Sequence, residues 1–260
     1  MSGDEHQKKI YKNLYKQDQY LVDLPDKKIT DGNYFKNKKI LSIGAGTGRD
    51  IWYLAKDNQI TAIDSSEEII HVLNPKGIKT KIMNLEKELP FPSESFDLVI
   101  AKDILEHITY PLEICKEIKR VLKPTGYAVI NVPNHFCFPM RLRYLFGKNL
   151  IWKTFGINHE NLFEEWNYMH IRYFTWKGFK KLLEKSELHI SKTFFDIFTL
   201  NHYTDPEIVK QYFKDQNSKT VIVRVLNMFN LIFPRFIRRK IANISPNLLS
   251  GSFYVWVKPI

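Results

Sequence analysis

Residues 39–50 read Lys-Ile-Leu-Ser-Ile-Gly-Ala-Gly-Thr-Gly-Arg-Asp, a short apolar run that enters three glycines spaced two apart and leaves as a polar stretch. Glycine is the residue that lets a backbone take positive φ and come close to a ligand, and a helix start beyond it supplies free N–H groups and a positive dipole end. A strand, a glycine turn and a helix in that order place a polar or anionic ligand at the turn. The next apolar run ends at Asp64, 16 residues after Gly48. A carboxylate at a strand end beside such a turn can accept hydrogen bonds from both hydroxyls of a ribose. The dinucleotide spacing GxGxxG would need glycine at position 49, which is Arg49, so the pattern is GxGxG.

Around this turn the first half alternates short β-branched runs with longer periodic stretches, the βαβ pattern of a parallel sheet covered on both faces. Strands are expected at Lys39–Ile43, Ile60–Ile63, Lys79–Met83, Phe96–Ala101 and Tyr127–Val132, with helices at Arg49–Lys56, Ser66–Leu73, Ile104–His107 and Pro111–Leu122. Leu112, Ile114, Cys115, Ile118, Val121 and Leu122 repeat near 3.6 residues, and Pro124 with Gly126 closes that stretch. Further on, Thr175 is an N-cap candidate for the helix WKGFKKLLEKSEL; His189–Phe195 and Gly251–Lys258 read as strands.

With Asn84 and Leu85 after the third strand, Leu89-Pro90-Phe91 before the fourth, then SFDLVIAKDILEHI and VLKPTGYAVINVPN, the ordered set resembles the class I S-adenosylmethionine-dependent methyltransferases, in particular those acting on small molecules and glycans. The resemblance is close over residues 35–135 and extends to HIRYFTWKGFKKLLEKSEL. It implies a single α/β domain over 1–260, a Rossmann-like seven-stranded sheet, with a mostly helical cap built from insertions 134–172 and 197–250. It also implies S-adenosylmethionine as cofactor. Gly44, Ala45, Gly46, Thr47 and Gly48 match the loop around its methionine part, Asp64 the ribose carboxylate, Ser65 a neighbour of adenine, and Asn84 and Leu85 the adenine amino group and ring face. Asn84 stands where the family usually has aspartate, and its amide carbonyl keeps the acceptor that the amino group needs. Lys102 falls where the family lines the sulfur end, an unusual residue there.

Methyl transfer from a sulfonium is an in-line displacement, accelerated by holding the acceptor aligned. An alcohol acceptor also needs a base for its proton. His107, in Leu105-Glu106-His107, is the candidate, because the resemblance places that motif at the floor of the acceptor site. His135 after the fifth strand, with His170 and Arg172 before the Thr175 helix, are candidates for the acceptor pocket, since strand carboxyl ends face the ligand crevice of an open sheet. Tyr11 and Tyr15 are candidates for a lid. Cys115 and Cys137 are too few and too far apart for a disulfide framework or a CxxC metal site, and no metal is expected.

Charge narrows the acceptor. Residues 1–140 hold 20 basic and 19 acidic side chains, net +1, whereas 141–260 hold 19 and 9, net +10. Insertion 134–172 carries +2 and 197–250 carries +5, so a phosphate, carboxylate or anionic lipid is expected near the acceptor. The favoured reaction is O-methylation of a sugar or glycan-related acceptor, phosphorylated or lipid-linked. The alternative is a quinone or isoprenoid-like lipid, met through Val221–Ile241 with its Arg235, Arg238, Arg239 and Lys240. RNA methylation is disfavoured: no basic run exceeds Arg238-Arg239-Lys240, and no RNA-binding module or NPPY-type motif is present. The polar start MSGDEHQKKIYKN and the lack of long apolar runs lead to the expectation of a cytoplasmic protein, peripheral at a membrane if at all.

Overall fold

Strand alternation decides the architecture. In β1 (Lys39–Ile43) Leu41 and Ile43 join one buried cluster while Ile40 joins another, and in β4 (Phe96–Lys102) Val99 and Ala101 divide from Leu98 and Ile100 in the same way. Both faces are therefore apolar, as a parallel sheet covered on both sides requires. The computed structural model describes Ile29 and residues 35–48, 50–147, 153–154, 157–158, 170–195 and 235–260.

Among the described residues β1, β2 (Gln59–Asp64), β3 (Lys79–Ile82), β4 and β5 (Leu122–Pro133) pair in parallel. Two later strands, β8 (Leu188–Thr193) and β9 (Ser252–Pro259), complete a seven-stranded sheet of order β3-β2-β1-β4-β5-β9-β8, with β9 antiparallel to β5 and β8 antiparallel to β9. This is the Rossmann-like sheet of class I methyltransferases. β6 (Lys153–Thr154) and β7 (Ile157–Asn158) form a separate antiparallel pair, so the described part of insertion 134–172 is not wholly helical.

Among the described residues the α-helical elements are α1 (Glu68–Leu73), α2 (Pro111–Val121), α3 (Phe138–Leu145), α4 (Trp176–Lys185), α5 (Arg235–Ile244) and α6 (Pro246–Leu249). Thr175 caps α4, its Oγ1 accepting the Gly178 N–H at 3.1 Å. The stretch expected as a helix over Arg49–Lys56 is instead a 3-10 turn at Trp52–Leu54. Asn58 explains where it stops: its Nδ2 donates to Leu54 O at 2.9 Å and to Phe35 O at 3.0 Å, taking a carbonyl that a continuing helix would use. Ile104–His107 likewise narrows to a 3-10 turn at Leu105–His107.

Strand order reverses between β1 and β4, and in an open α/β sheet the crevice at the carboxyl ends of those strands is where ligands bind. The loops after β1 and β4 meet there. A Cβ on Gly44 (φ 65°) would lie 2.7 Å from Ile104 Cδ1, so only glycine permits this approach.

α4 packs through Phe179 and Leu183, both fully buried. The Phe179 ring stacks on Phe253 of β9 with centroids 6.4 Å apart. Phe179→Ala should therefore destabilise the protein by about 3–5 kcal/mol, read as a lowered urea midpoint with an unchanged slope.

Candidate functional site

At the carboxyl end of β1 the glycine loop is held by a carboxylate. Gly44, Gly46 and Gly48 have φ of 65°, 52° and 72°. The Gly46 N–H donates to Asp64 Oδ2 and the Ser66 N–H to Asp64 Oδ1, both at 3.0 Å, so one buried side chain ties the turn after β1 to the turn after β2. A carboxylate oxygen can accept more than one hydrogen bond. Ala45, Gly46 and Thr47 are half-buried, and Ser65 is exposed on the loop rim.

The loop after β3 lies on the same side. Leu85 is buried and Asn84 exposed; Asn84 Oδ1 accepts the Glu86 N–H at 2.8 Å, an Asx turn that uses the carbonyl expected to meet adenine. Arg120 fastens this loop to α2 by donating to the carbonyls of Leu89 and Phe91 and to Glu117, whose Oε2 also accepts the Leu89 N–H. Hydrogen bonding from Arg120 holds the Glu117 carboxyl below its ordinary range.

Lys102 ends β4 without exposing its charge. Its Nζ lies 2.7 Å from Asp50 Oδ1 and 5.7 Å from the Tyr254 ring centroid, and its side chain is 3% exposed. A buried ammonium needs such a partner, so the lysine fits this position because Asp50 follows the glycine loop. Beside it, Asp103 takes φ of 49° and its Oδ1 accepts the Asn131 amide at 2.6 Å, linking the ends of β4 and β5.

Three sequence-separated histidines meet next to these ends. The His107 and His170 rings are edge-to-face at 4.8 Å, and His135 Nε2 lies 2.8 Å from His170 Nδ1. Glu106 sits beneath them, 1% exposed, with Oε1 3.8 Å from His107 Nε2 and 4.0 Å from His170 Nε2. The strap carrying His170 is fixed by backbone bonds, since the Ile171 and Arg172 N–H groups both donate to Glu106 O, at 2.9 and 3.0 Å. The Arg172 guanidinium turns to Thr109 O, so it acts as a brace in this arrangement. Burial, and after it the charge of Asp103, push the Glu106 carboxyl well above the usual range. Burial, with His107 second, pushes His135 down to about 4, so it is neutral at pH 7. The structure thus brings His107, His135 and His170 into one cluster and adds Glu106, Asp50, Asp103 and Asn131, which single-residue reading passed over. Glu106 alone had a signal, as the middle of Leu105-Glu106-His107.

Tyr173 stands edge-on to His135 at 4.9 Å and is 46% exposed, while Tyr144 OH donates to His135 O at 3.2 Å. Of the basic segment 221–241, residues 235–241 are described; there Arg239 lies over Phe194 at 5.9 Å and Ile241 packs on the core. Tyr11, Tyr15 and Arg49 lie outside the described residues, as do 148–152, 155–156 and 159–169 of the first insertion and 197–234 of the second. No helix among the described residues is long and apolar enough to cross a membrane.

Residues 41–130 match the family described as a methyltransferase domain. The chain carries a methyltransferase domain. S-adenosylmethionine is the methyl donor of this domain class. An uncharacterized protein of Methanocaldococcus jannaschii is 36% identical over 92 residues, 35% of this chain and 43% of its own length. A probable S-adenosylmethionine-dependent methyltransferase of Mycobacterium tuberculosis is 26% identical over 103 residues, 39% of this chain and 38% of its own length. The matched segment therefore spans less than half of either relative. Among solved structures, a SAM-dependent methyltransferase of Thermotoga maritima, described as a possible histamine N-methyltransferase, shares the fold with a TM-score of 0.55 at 15% identity, over 98% of this chain and 94% of that one.

The methyltransferase loop depends on Gly48, where a Cβ would collide with Leu73 Cδ2 and φ is 72°. Gly48→Ala should destabilise the chain by at least about 1–2 kcal/mol from the left-handed backbone alone, measured by chemical denaturation.

Proposed function

We propose that the whole chain is an S-adenosylmethionine-dependent O-methyltransferase acting on a sugar or glycan-related hydroxyl. The single observation that carries the methyltransferase half is the glycine loop clasped by Asp64 at the reversal point of this sheet. In this reading Gly44–Gly48 hold the methionine part, Asp64 the ribose, and Ser65, Asn84 and Leu85 flank the adenine, with the Asn84 amide N–H₂ turned to ligand because its carbonyl serves the Asx turn. The Lys102–Asp50 pair stands at the floor of the crevice, and its mutual neutralisation suits a cofactor end that is itself cationic. When bound, the cofactor supplies an electrophilic methyl group.

The acceptor half rests on the histidine cluster and its rim. Neutral His135 braces His170, and His107 is the candidate base for the hydroxyl proton. Exposed Tyr173 beside the cluster offers an aromatic face of the kind that packs on a pyranose ring, while the positive charge of the two insertions suits an anionic or lipid-linked sugar.

Calorimetry with S-adenosylhomocysteine checks the cofactor half. Binding in the micromolar range, weakened at least tenfold by Asp64→Ala, is expected; no binding, or binding indifferent to Asp64, overturns it. For the acceptor, labelled methyl donor is incubated with nucleotide sugars, lipid-linked sugars and quinones. Label should pass to the sugars and decline strongly in His107→Ala, and transfer to quinones alone would replace the sugar reading.

A further inference from the structure

We propose that Glu106, His107 and His170 form a binding site for a divalent first-row transition-metal ion, which holds the acceptor oxygen. The part about the acceptor rests on the methyltransfer reading above, whereas metal binding itself does not. The ligand atoms of these three side chains all lie within 4.8 Å of one another. Atoms bound tetrahedrally at about 2.0–2.2 Å are separated by roughly 3.4 Å, so the observed 3.8 and 4.0 Å from Glu106 Oε1 close with small side-chain rotations.

The second observation is independent of that spacing. Glu106 Oε2 is fully buried and has no hydrogen-bond partner among the described residues. A buried carboxylate oxygen with nothing to accept from is costly, and a cation at the mouth of the same carboxyl group would satisfy it. In the tautomer in which His170 Nδ1–H donates to His135 Nε2 across their 2.8 Å contact, the His170 Nε2 lone pair faces Glu106, and that is the tautomer the metal site requires. A metal-bound imidazole whose other N–H is hydrogen-bonded has this arrangement.

Two imidazoles and one carboxylate select zinc, iron, manganese, cobalt or nickel over magnesium or calcium, which prefer oxygen ligands. Three protein ligands leave a coordination position open, as in catalytic zinc sites. An acceptor hydroxyl bound there loses its proton to water near neutral pH, as metal-bound water does, so with the ion bound His107 is a ligand and the direct base role given to it above belongs to the metal-free site. The acceptor's oxygen pair then forms the bond to the methyl carbon, and the carbon–sulfur pair stays on sulfur, leaving a neutral thioether. The backbone bonds from Ile171 and Arg172 to Glu106 O keep the His170 strap against the Glu106 turn, so the ligand set is braced before any ion arrives.

The test titrates Co²⁺ alone into untagged full-length protein and follows its visible d–d absorption. One saturable site per chain is expected, displaced by Zn²⁺ and weakened at least tenfold in His107→Ala/His170→Ala. S-adenosylhomocysteine calorimetry on the same samples reports whether the variant is folded. Absence of the band, or a band unchanged in the double variant, overturns the proposal. X-ray absorption of the zinc-loaded wild type needs no variant: a nitrogen and oxygen shell with imidazole scattering supports the site, and sulfur ligation or an all-oxygen shell overturns it. If Co²⁺ binds but S-adenosylhomocysteine does not, the methyltransfer reading fails while the metal site stands.

Discussion

One buried carboxylate organises the ligand end of this sheet. Asp64 accepts a hydrogen bond on each oxygen, from Gly46 on one loop and Ser66 on the next, so the ends of two strands are cross-braced through a single side chain. Hydrogen bonds to an ionised acceptor are worth roughly twice neutral ones, and a buried carboxylate without them would be strongly unfavourable. The three positive-φ glycines follow from this clasp. The chain must reverse within a few residues to bring Gly46 N–H onto Asp64, and Gly44 must do so against Ile104 from the neighbouring loop. The cradle is therefore set by protein-internal bonds before a ligand enters.

Charge at the end of β4 is handled in the same way, by pairing across loops. Lys102 with Asp50 joins β4 to the stretch after the glycine loop, and Asp103 with Asn131 joins β4 to β5. Glu106 is less completely served: its carboxyl has neighbours at 3.8 and 4.0 Å but no hydrogen-bonded partner on Oε2 among the described residues. Asn131 Oδ1 and His135 Nδ1 are likewise buried without one, so the cost collects at this end of the sheet, where stability gives way to chemistry.

The sheet and the glycine turn were legible in the sequence because both are written locally. Strand alternation in β1, β4 and β5, the period of α2, and the Thr175 cap each need only a few neighbouring residues to be read. The extra turns expected over Arg49–Lys56 were not, because the Asn58 side chain that ends them reaches Phe35 as well as Leu54. The histidine cluster was the least legible part. His107, His135 and His170 were each visible as candidates, but their meeting depends on contacts between groups 35 or more residues apart. Lys102 looked anomalous for the same reason, since its partner Asp50 sits on another loop.

The same cluster also bears on the first insertion. His135 and His170 stand at its two ends, and their 2.8 Å bond closes the neck of the segment between them. Tethering two chain positions 35 residues apart costs roughly 3 kcal/mol of chain entropy. The bonds at the neck, from His135 to His170, from the Ile171 and Arg172 N–H groups to Glu106 O, and from the Arg172 guanidinium to Thr109 O, are worth about 0.5–1.5 kcal/mol each, enough in sum to offset that cost. Three of the four run to the Glu106–Thr109 turn, so holding the insertion and positioning the histidines are one structural act. A change at Glu106 or His170 therefore reaches the neck of this segment as well as the histidine cluster.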